Sequence, residues 1–384
     1  MSENQLSYSR IWLVGLSGSG KSTVGERLAQ QFKASFIDTD AQISSKENKT
    51  ISDIFKLKGE TYFRSMEKQV CNELITSNDS DLTIIATGGG FPCFENNIER
   101  MCSDGLVVYL NCSPSKAAKR LNQTNNRPLL HGQMMAEQLE GQLILRKEFY
   151  HKAHVEVNAN NNPSEVIAEI LGILNALKKD GSFDFEAPAI QSFLETFDKK
   201  KDTRTLALSM YYAIRDGFLY DPYHLDISEE GLKASKVASK KRAWCVEKAL
   251  LLAACARSFK IPARLGFAIV TNHIGTEKLT HYLGRKEIVF HGFAVVFIQG
   301  KWVKCTPAFD KRVCSLSKVE PLEWDGEHDS LFQEFSNGFQ FMEYLHNYGE
   351  FDEIPFELMK KEMKVYYPHL FLNKYDSKEF SFRY

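Results

Sequence analysis

The chain is poor in uninterrupted hydrophobic sequence. No apolar stretch approaches the ~18 residues that a bilayer-crossing helix requires, so a membrane-spanning role is not expected. The opening residues MSENQLSYSR lack the basic-then-apolar order of a secretory signal. The eight cysteines form no C-x-x-C pair and no regular framework, which reads as reduced thiols in a cytoplasmic protein. An excess of one charge is also missing. With 48 basic residues against 49 acidic, the net charge is −1, so neither nucleic acid nor an anionic membrane is an expected partner. The basic runs at 199–201 and 240–242 are short and read as solvated faces. His151-x-x-His154 has a metal-ligand spacing, but so sparse a cluster reads as a helix surface. There is no internal repeat and no low-complexity tract.

What the chain has is size and pattern. Its 384 residues, 43% of them hydrophobic, provide core for two globular domains. A polar, linker-like stretch at 178–186, with Pro188 just beyond, places the expected division at 1–178 and 179–384.

The strongest motif is GLSGSGKST, beginning at Gly15 and including Gly18, Ser19, Gly20, Lys21, Ser22 and Thr23. It follows the apolar run Ile11-Trp12-Leu13-Val14 and opens a segment of helical periodicity. This is G-x-x-x-x-G-K-[ST] in its strand–loop–helix context. Glycines let backbone N–H groups close around phosphate oxygens, and the helix N-terminus adds partial positive charge. Lys21 can reach a transferred phosphoryl group, and the Ser22 hydroxyl can ligate Mg²⁺.

Further apolar runs follow. Ser35-Phe36-Ile37 ends in Asp38-Thr39-Asp40. On an extended chain those two carboxylates share a face about 7 Å apart. One can orient a Mg²⁺ hydration shell and one can take a hydroxyl proton, although paired acids also end strands at ordinary turns. The run 82–87 leads into Gly88, Gly89 and Gly90, which mark either a closely approached backbone or a tight turn. Strand 106–110 precedes Ser113-Pro114, a helix start. Short strands alternating with helices predict a doubly wound parallel α/β domain.

These pieces resemble the shikimate kinases, over about residues 10–177. The resemblance rests on the order of the phosphate loop, FIDTD at 36–40, ISDIFKLKGETYFRSMEKQV at 51–70, TGGG at 87–90, NRPLL at 126–130 and Arg146. It implies a P-loop kinase of the nucleoside-monophosphate-kinase type, in the cytoplasm, feeding chorismate and aromatic amino-acid synthesis. MgATP would donate its γ-phosphoryl group to the 3-hydroxyl of shikimate. By the same resemblance Asp40 would bind shikimate and act as base, and Asp38 would organise the Mg²⁺ waters. Arg64 and Arg146 would clamp the carboxylate, and Gly88, Gly89 and Gly90 would line the pocket. Arg127 would neutralise phosphate charge, and Arg120 would lie near adenine. From the residues alone, Arg64 also reads as an ion-pair partner of Glu60 and Glu67, Arg120 as part of a solvated face, and Arg127 as a loop residue. After Arg146 the family usually continues Pro-Leu-Tyr, whereas here Lys147-Glu148-Phe149-Tyr150 follows. The alternative for this half is another small-molecule P-loop kinase, such as one acting on gluconate.

In the second half Cys245 opens a long helical pattern, and His291 begins an alternating strand. A cysteine at a helix N-terminus, after the basic run 240–242, is expected to have a depressed pKa. With His291 it would form an activated nucleophile. The bland reading is a buried structural cysteine and an ordinary histidine. Cys255, inside the helix, reads as core. The stretches 203–216, 244–264 and 291–307 resemble the transglutaminase-like superfamily, implying an α+β, papain-like domain with Cys245 and His291 as nucleophile and base toward an acyl or peptide ligand. The acid expected before a proline falls on Thr306, with Asp310 as the available substitute. Without turnover, this half would be a binding or assembly module. The aromatic-rich tail 311–384 reads as an extension packed on this domain.

Overall fold

The computed structural model describes residues 8–77, 81–124, 132–272, 277–331, 342–371 and 381–382. The chain divides into two compact units, Met1–Ile173 and Leu174–Tyr384.

In the first unit, strands β1 (Arg10–Val14), β2 (Ser35–Asp38), β3 (Thr83–Ala86), β4 (Leu106–Asn111) and β5 (Val155–Asn158) form one sheet in the order β2-β3-β1-β4-β5. All four pairings are parallel. β1 and β3 are buried at every position, which is why their sequences are continuous apolar runs and not alternating ones. Helices α1 (Lys21–Phe32), α2 (Thr39–Glu47), α3 (Ile51–Thr76), α4 (Asn97–Asp104), α5 (Pro114–Thr124), α6 (Gly132–Tyr150) and α7 (Pro163–Asn175) make the connections. β1 lies between β3 and β4, so the loop after β1 opens at the point where connections leave in opposite directions. That is where α/β sheets of this kind bind ligands. Gly59, at φ 79°, kinks α3 and sets Glu60, Arg64 and Glu67 on its second limb.

The division falls inside α7 and not within 178–186. Beyond Ile173 the chain is tied to the second unit: Ala176 O accepts from Ala263 N at 3.0 Å, and Lys178 O from Arg257 Nη1 at 2.7 Å. The 178–186 stretch is no solvated linker, because Phe183 and Phe185 are buried in the second core.

The second unit begins with α8 (Pro188–Leu194), α9 (Thr203–Gly217), the short strands β6 (Leu219–Tyr220) and β7 (Leu225–Asp226), α10 (Ala234–Ala238) and β8 (Arg242–Ala243). Next come α11 (Cys245–Ser258), β9 (Ala263–Asn272), α12 (Glu277–Leu283), β10 (Glu287–Ile298), β11 (Lys301–Cys305) and α13 (Lys311–Leu316). Last are β12 (Met342–Phe351), α14 (Phe356–Tyr366), α15 (Pro368–Phe371) and β13 (Ser381–Phe382). An antiparallel sheet in the order β11-β10-β9-β12 carries α11 against it. Nearly every residue of α11 is buried, including Glu247, Lys248 and Arg257, whose charged groups are hydrogen-bonded, Lys248 Nζ to Arg215 O at 2.9 Å and Ala308 O at 2.8 Å. Gln299 and Gly300, at φ 50° and 80°, make the tight turn between β10 and β11. The aromatic tail is integral to this unit, since it supplies β12, which pairs with β9. No helix among the described residues is long and apolar enough to cross a membrane.

Candidate active site

The loop between β1 and α1 closes tightly on its surroundings. Gly15, Gly18 and Gly20 have φ of 141°, 80° and 98°, backbone that side chains disfavour. A β-carbon on Gly15 would also stand 2.7 Å from Leu110 O, and one on Gly18 2.6 Å from Ala117 O. Lys21 folds back under the loop, its Nζ donating to Gly15 O at 2.9 Å and Leu16 O at 2.8 Å. It is buried, and the loss of hydration lowers its pKa to about 8, although Asp40 and Asp38 pull the other way. Ser22 Oγ donates to Asp38 Oδ2 at 2.7 Å. A cleft of about 570 Å³ opens over this loop and reaches Asp38, Asp40, Gly88, Gly89 and Arg120.

Asp38 and Asp40 do not share an extended strand. β2 ends at Asp38, whose Oδ1 caps α2 by accepting from Asp40 N at 3.0 Å and Ala41 N at 3.2 Å. Asp40 is already in the first helical turn. The chain turns there because an aspartate satisfies the helix's unpaired N–H groups. Both carboxylates still line the cleft. Burial, then the negative charge of Asp38, raises the Asp40 pKa above its ordinary value. Its Oδ1 is buried and has no hydrogen-bond partner.

The three glycines are closely approached backbone and also enter a turn, with Phe91 N donating to Gly88 O at 3.1 Å. None has a positive φ. A β-carbon would stand 2.5 Å from Asp40 Oδ1 at Gly88, 3.1 Å from Ser17 Oγ at Gly89 and 2.4 Å from Arg64 Nη1 at Gly90. Gly88 N is anchored on Thr39 Oγ1 at 3.0 Å. Arg64 makes both expected ion pairs, with Glu60 at 3.0 Å and Glu67 at 2.7 Å. Glu67 was legible only as that partner. The fold buries it beside Gly88, with Oε1 unpartnered and its pKa pushed up to about 7 by burial against the pull of Arg64.

α6 runs unbroken through Lys147-Glu148-Phe149 to Tyr150. Arg146 and Tyr150 are therefore one helical turn apart on the same face. Arg146 Nη1 donates to Gln142 Oε1 at 3.0 Å and lies 3.2 Å from where a Gly89 β-carbon would be. Arg120 is not a solvated residue: its guanidinium donates to Ser19 O at 3.1 Å and Asn161 O at 2.9 Å, joining α5 to the phosphate loop and to the approach of α7. Arg127 lies outside the described residues. His154 is not a helix-surface residue, for its Nδ1 accepts from Val107 N at 3.0 Å, beyond the end of α6. No metal-holding cluster of His, Cys, Asp or Glu occurs among the described residues.

In the second unit the expected activation of Cys245 is not found. The thiol does sit at the N-terminus of α11, but it is 1% exposed, and burial pushes its pKa up to about 11 despite hydrogen bonds from Gly292 and Val246 N–H. The basic run does not reach it. Lys240 pairs with Glu247, and Arg242 lies 3.8 Å from Asp221. A β-carbon on Gly292 would stand 2.8 Å from Val246 Cα, so Gly292 faces α11. Tyr344 lies 6.3 Å from the rings of both His291 and Phe293 and is also within electrostatic reach of the Cys245 thiol. Both His291 ring nitrogens are buried without a hydrogen-bond partner, and burial lowers its pKa to about 4. No thiol–imidazole hydrogen bond is formed. Asp310 does not substitute for the acid either. Its Oδ1 caps α13 through Arg312 N and Val313 N, and its Oδ2 accepts from Tyr220 N at 2.7 Å. Cys255 is fully buried core.

Comparison with known proteins also finds two parts. A shikimate kinase family model matches residues 17–175, and a transglutaminase-like superfamily model matches residues 191–307. The shikimate kinase of Sulfurihydrogenibium sp. (strain YO3AOP1) is 39% identical over 162 residues, which are 42% of this chain and 95% of that protein. That of Parabacteroides distasonis is 39% identical over 178 residues, 44% of this chain and 98% of that protein. A solved shikimate kinase from Acinetobacter baumannii in complex with shikimate is 33% identical, covers 44% of this chain and 94% of that one, and superposes with a TM-score of 0.40. A phosphate loop, an acidic pair and a glycine-lined pocket thus occur in a sequence that aligns with whole relatives, and the chain belongs to the shikimate kinase family, its kinase unit continuing into a transglutaminase-like one.

Proposed function

We propose that the first unit transfers the γ-phosphoryl group of ATP to the 3-hydroxyl of shikimate. The observation that carries this is Asp40. Its buried Oδ1 lacks any partner and borders the cleft opposite the phosphate loop, where a substrate hydroxyl would satisfy it. As the hydroxyl oxygen bonds to the γ-phosphorus, its proton passes to Asp40 and the breaking P–O bond leaves its electron pair on ADP. The loop N–H groups and Lys21 hold the phosphates, and Arg127 is assigned to the charge that builds up in transfer. Arg64 and Arg146 offer planar forks to the shikimate carboxylate, and Arg120 borders the adenine side. The Ser22 hydroxyl and Asp38 carboxylate are a hard-oxygen pair suited to Mg²⁺, which when bound screens phosphate charge. Shikimate-dependent ADP release by the full chain with MgATP tests the reading. Gluconate turned over in preference to shikimate would replace it with the alternative kinase. Asp40→Asn should impair shikimate use and turnover while leaving ATP binding nearly intact.

For the second unit we propose a binding or assembly role in place of acyl transfer. The lack of a hydrogen bond at either His291 ring nitrogen, the raised pKa of the buried Cys245 thiol and the structural use of Asp310 support it. A hydrolase or acyl-transfer screen in which Cys245→Ala abolishes activity would reverse this reading.

A further inference from the structure

Tyr150 is the last residue of α6, fully buried and stacked on Tyr109 at a centroid distance of 5.0 Å. A buried phenol needs a partner for its hydroxyl, and this one donates to Gly89 O at 2.7 Å. The Arg146 guanidinium, one turn earlier on the same helix, interacts with the same hydroxyl. Gly89 is itself pressed between Arg146 and the phosphate loop: the position of its missing β-carbon is 3.2 Å from Arg146 Nη1 and 3.2 Å from Ser17 N. One hydroxyl therefore sits at the junction of the arginine fork, the glycine loop and the edge of the phosphate loop. Gln142 holds Arg146 from the other side at 3.0 Å.

We propose that Tyr150 is a positioning residue for the acceptor's carboxylate. It orients Arg146 and locks the Gly89 carbonyl, so that the guanidinium fork is set before substrate arrives. The proposal rests on the reading of Arg146 as a carboxylate ligand. Tyr150 spends its hydroxyl on Gly89 O and does not line the cleft over the phosphate loop, so its effect falls on acceptor affinity and not on the transfer step.

The test compares wild type, Tyr150→Phe and Arg146→Lys in the full chain, with shikimate and with shikimate methyl ester as acceptors. The phenylalanine keeps the ring packed on Tyr109 and removes only the hydroxyl. Tyr150→Phe should raise KM for shikimate about 10-fold, the loss expected for a hydrogen bond to a charged group, with kcat and KM for ATP within about 2-fold. The methyl ester carries no carboxylate charge, so wild type and Tyr150→Phe should use it equally well. A purely structural role would not move that ratio. Unchanged shikimate KM in Tyr150→Phe, or an equal loss with acid and ester, overturns the proposal. If Arg146→Lys also leaves shikimate KM unchanged, the placement of the carboxylate at Arg146 fails instead. Should Tyr150→Phe not fold, Gln142→Ala takes its place, because releasing Arg146 from its other side should raise shikimate KM and spare the ester. Equal use of both acceptors by that variant overturns the proposal too.

Discussion

A β-carbon on Gly88 would stand 2.5 Å from Oδ1 of Asp40, so the close approach of the carboxylate, and not the φ of the turn that Gly88 opens, calls for glycine here. The backbone at Gly88 has no positive φ and any residue could adopt it. What it cannot tolerate is a methyl group against the Asp40 carboxylate. Glu67 Oε1, 3.3 Å from the same point, leaves no second direction for relief.

Gly88→Ala should therefore damage the acceptor half of the reaction alone. Displacing Asp40 is expected to lower kcat/KM for shikimate by roughly 100-fold, about 3 kcal/mol at 1.36 kcal/mol per decade. The dissociation constant of ATP, followed by calorimetry, should change little. Loss of ATP binding in the variant would show that Gly88 supports the phosphate loop instead.

Lys21 carries a stability cost that pH can reveal. Its pKa is lowered from 10.5 to about 8 by burial, so folding disfavours its charged form. The penalty is complete below about pH 8, where folded and unfolded chains are both charged, and vanishes above 10.5, where both are neutral. Lys21→Met should thus gain most on wild type in thermal stability of the first unit near pH 7. That advantage should shrink steadily from pH 8 toward 10.5, as measured by Tm. A constant difference across this range would mean that the lysine is not desolvated in the free enzyme. On the proposed assignment of Lys21 to the phosphates, the same variant should lower kcat by about 100-fold or more.

Thiol reactivity should follow exposure and not helix position. Cys93 and Cys102 are partly exposed, whereas the other six cysteines are buried. Burial raises the pKa of Cys245 to about 11 and that of Cys93 to about 11 as well, so access to the reagent and not thiolate fraction separates the two. Iodoacetamide at pH 7, with peptide mapping, should label Cys93 or Cys102 well before Cys245. His291→Ala should leave the Cys245 rate unchanged. Fast labelling of Cys245 that depends on His291 would restore the activated pair.

Motifs whose chemistry is local were legible in the sequence. Gly15 to Thr23 determined its own loop, because glycine conformations and the following helix start are properties of neighbouring residues. The apolar runs at 11–14, 82–87 and 106–110 determined buried parallel strands for the same reason, and Cys245 opening a helix was equally local. Burial and the direction of a side chain are not local. Asp38 and Asp40 read as a strand pair, yet the Asp38 side chain prefers to cap α2, and that places Asp40 on a helix. Glu67 became a pocket carboxylate and Tyr150 a junction only when α3 and α6 were brought against the glycine loop. His291 and Cys245 carried the residue types of a reactive pair. The packing of α11 and β10 sealed both of them in the core with no hydrogen bond between them. Spacing along a chain cannot report that, because it depends on which face of a sheet a helix covers.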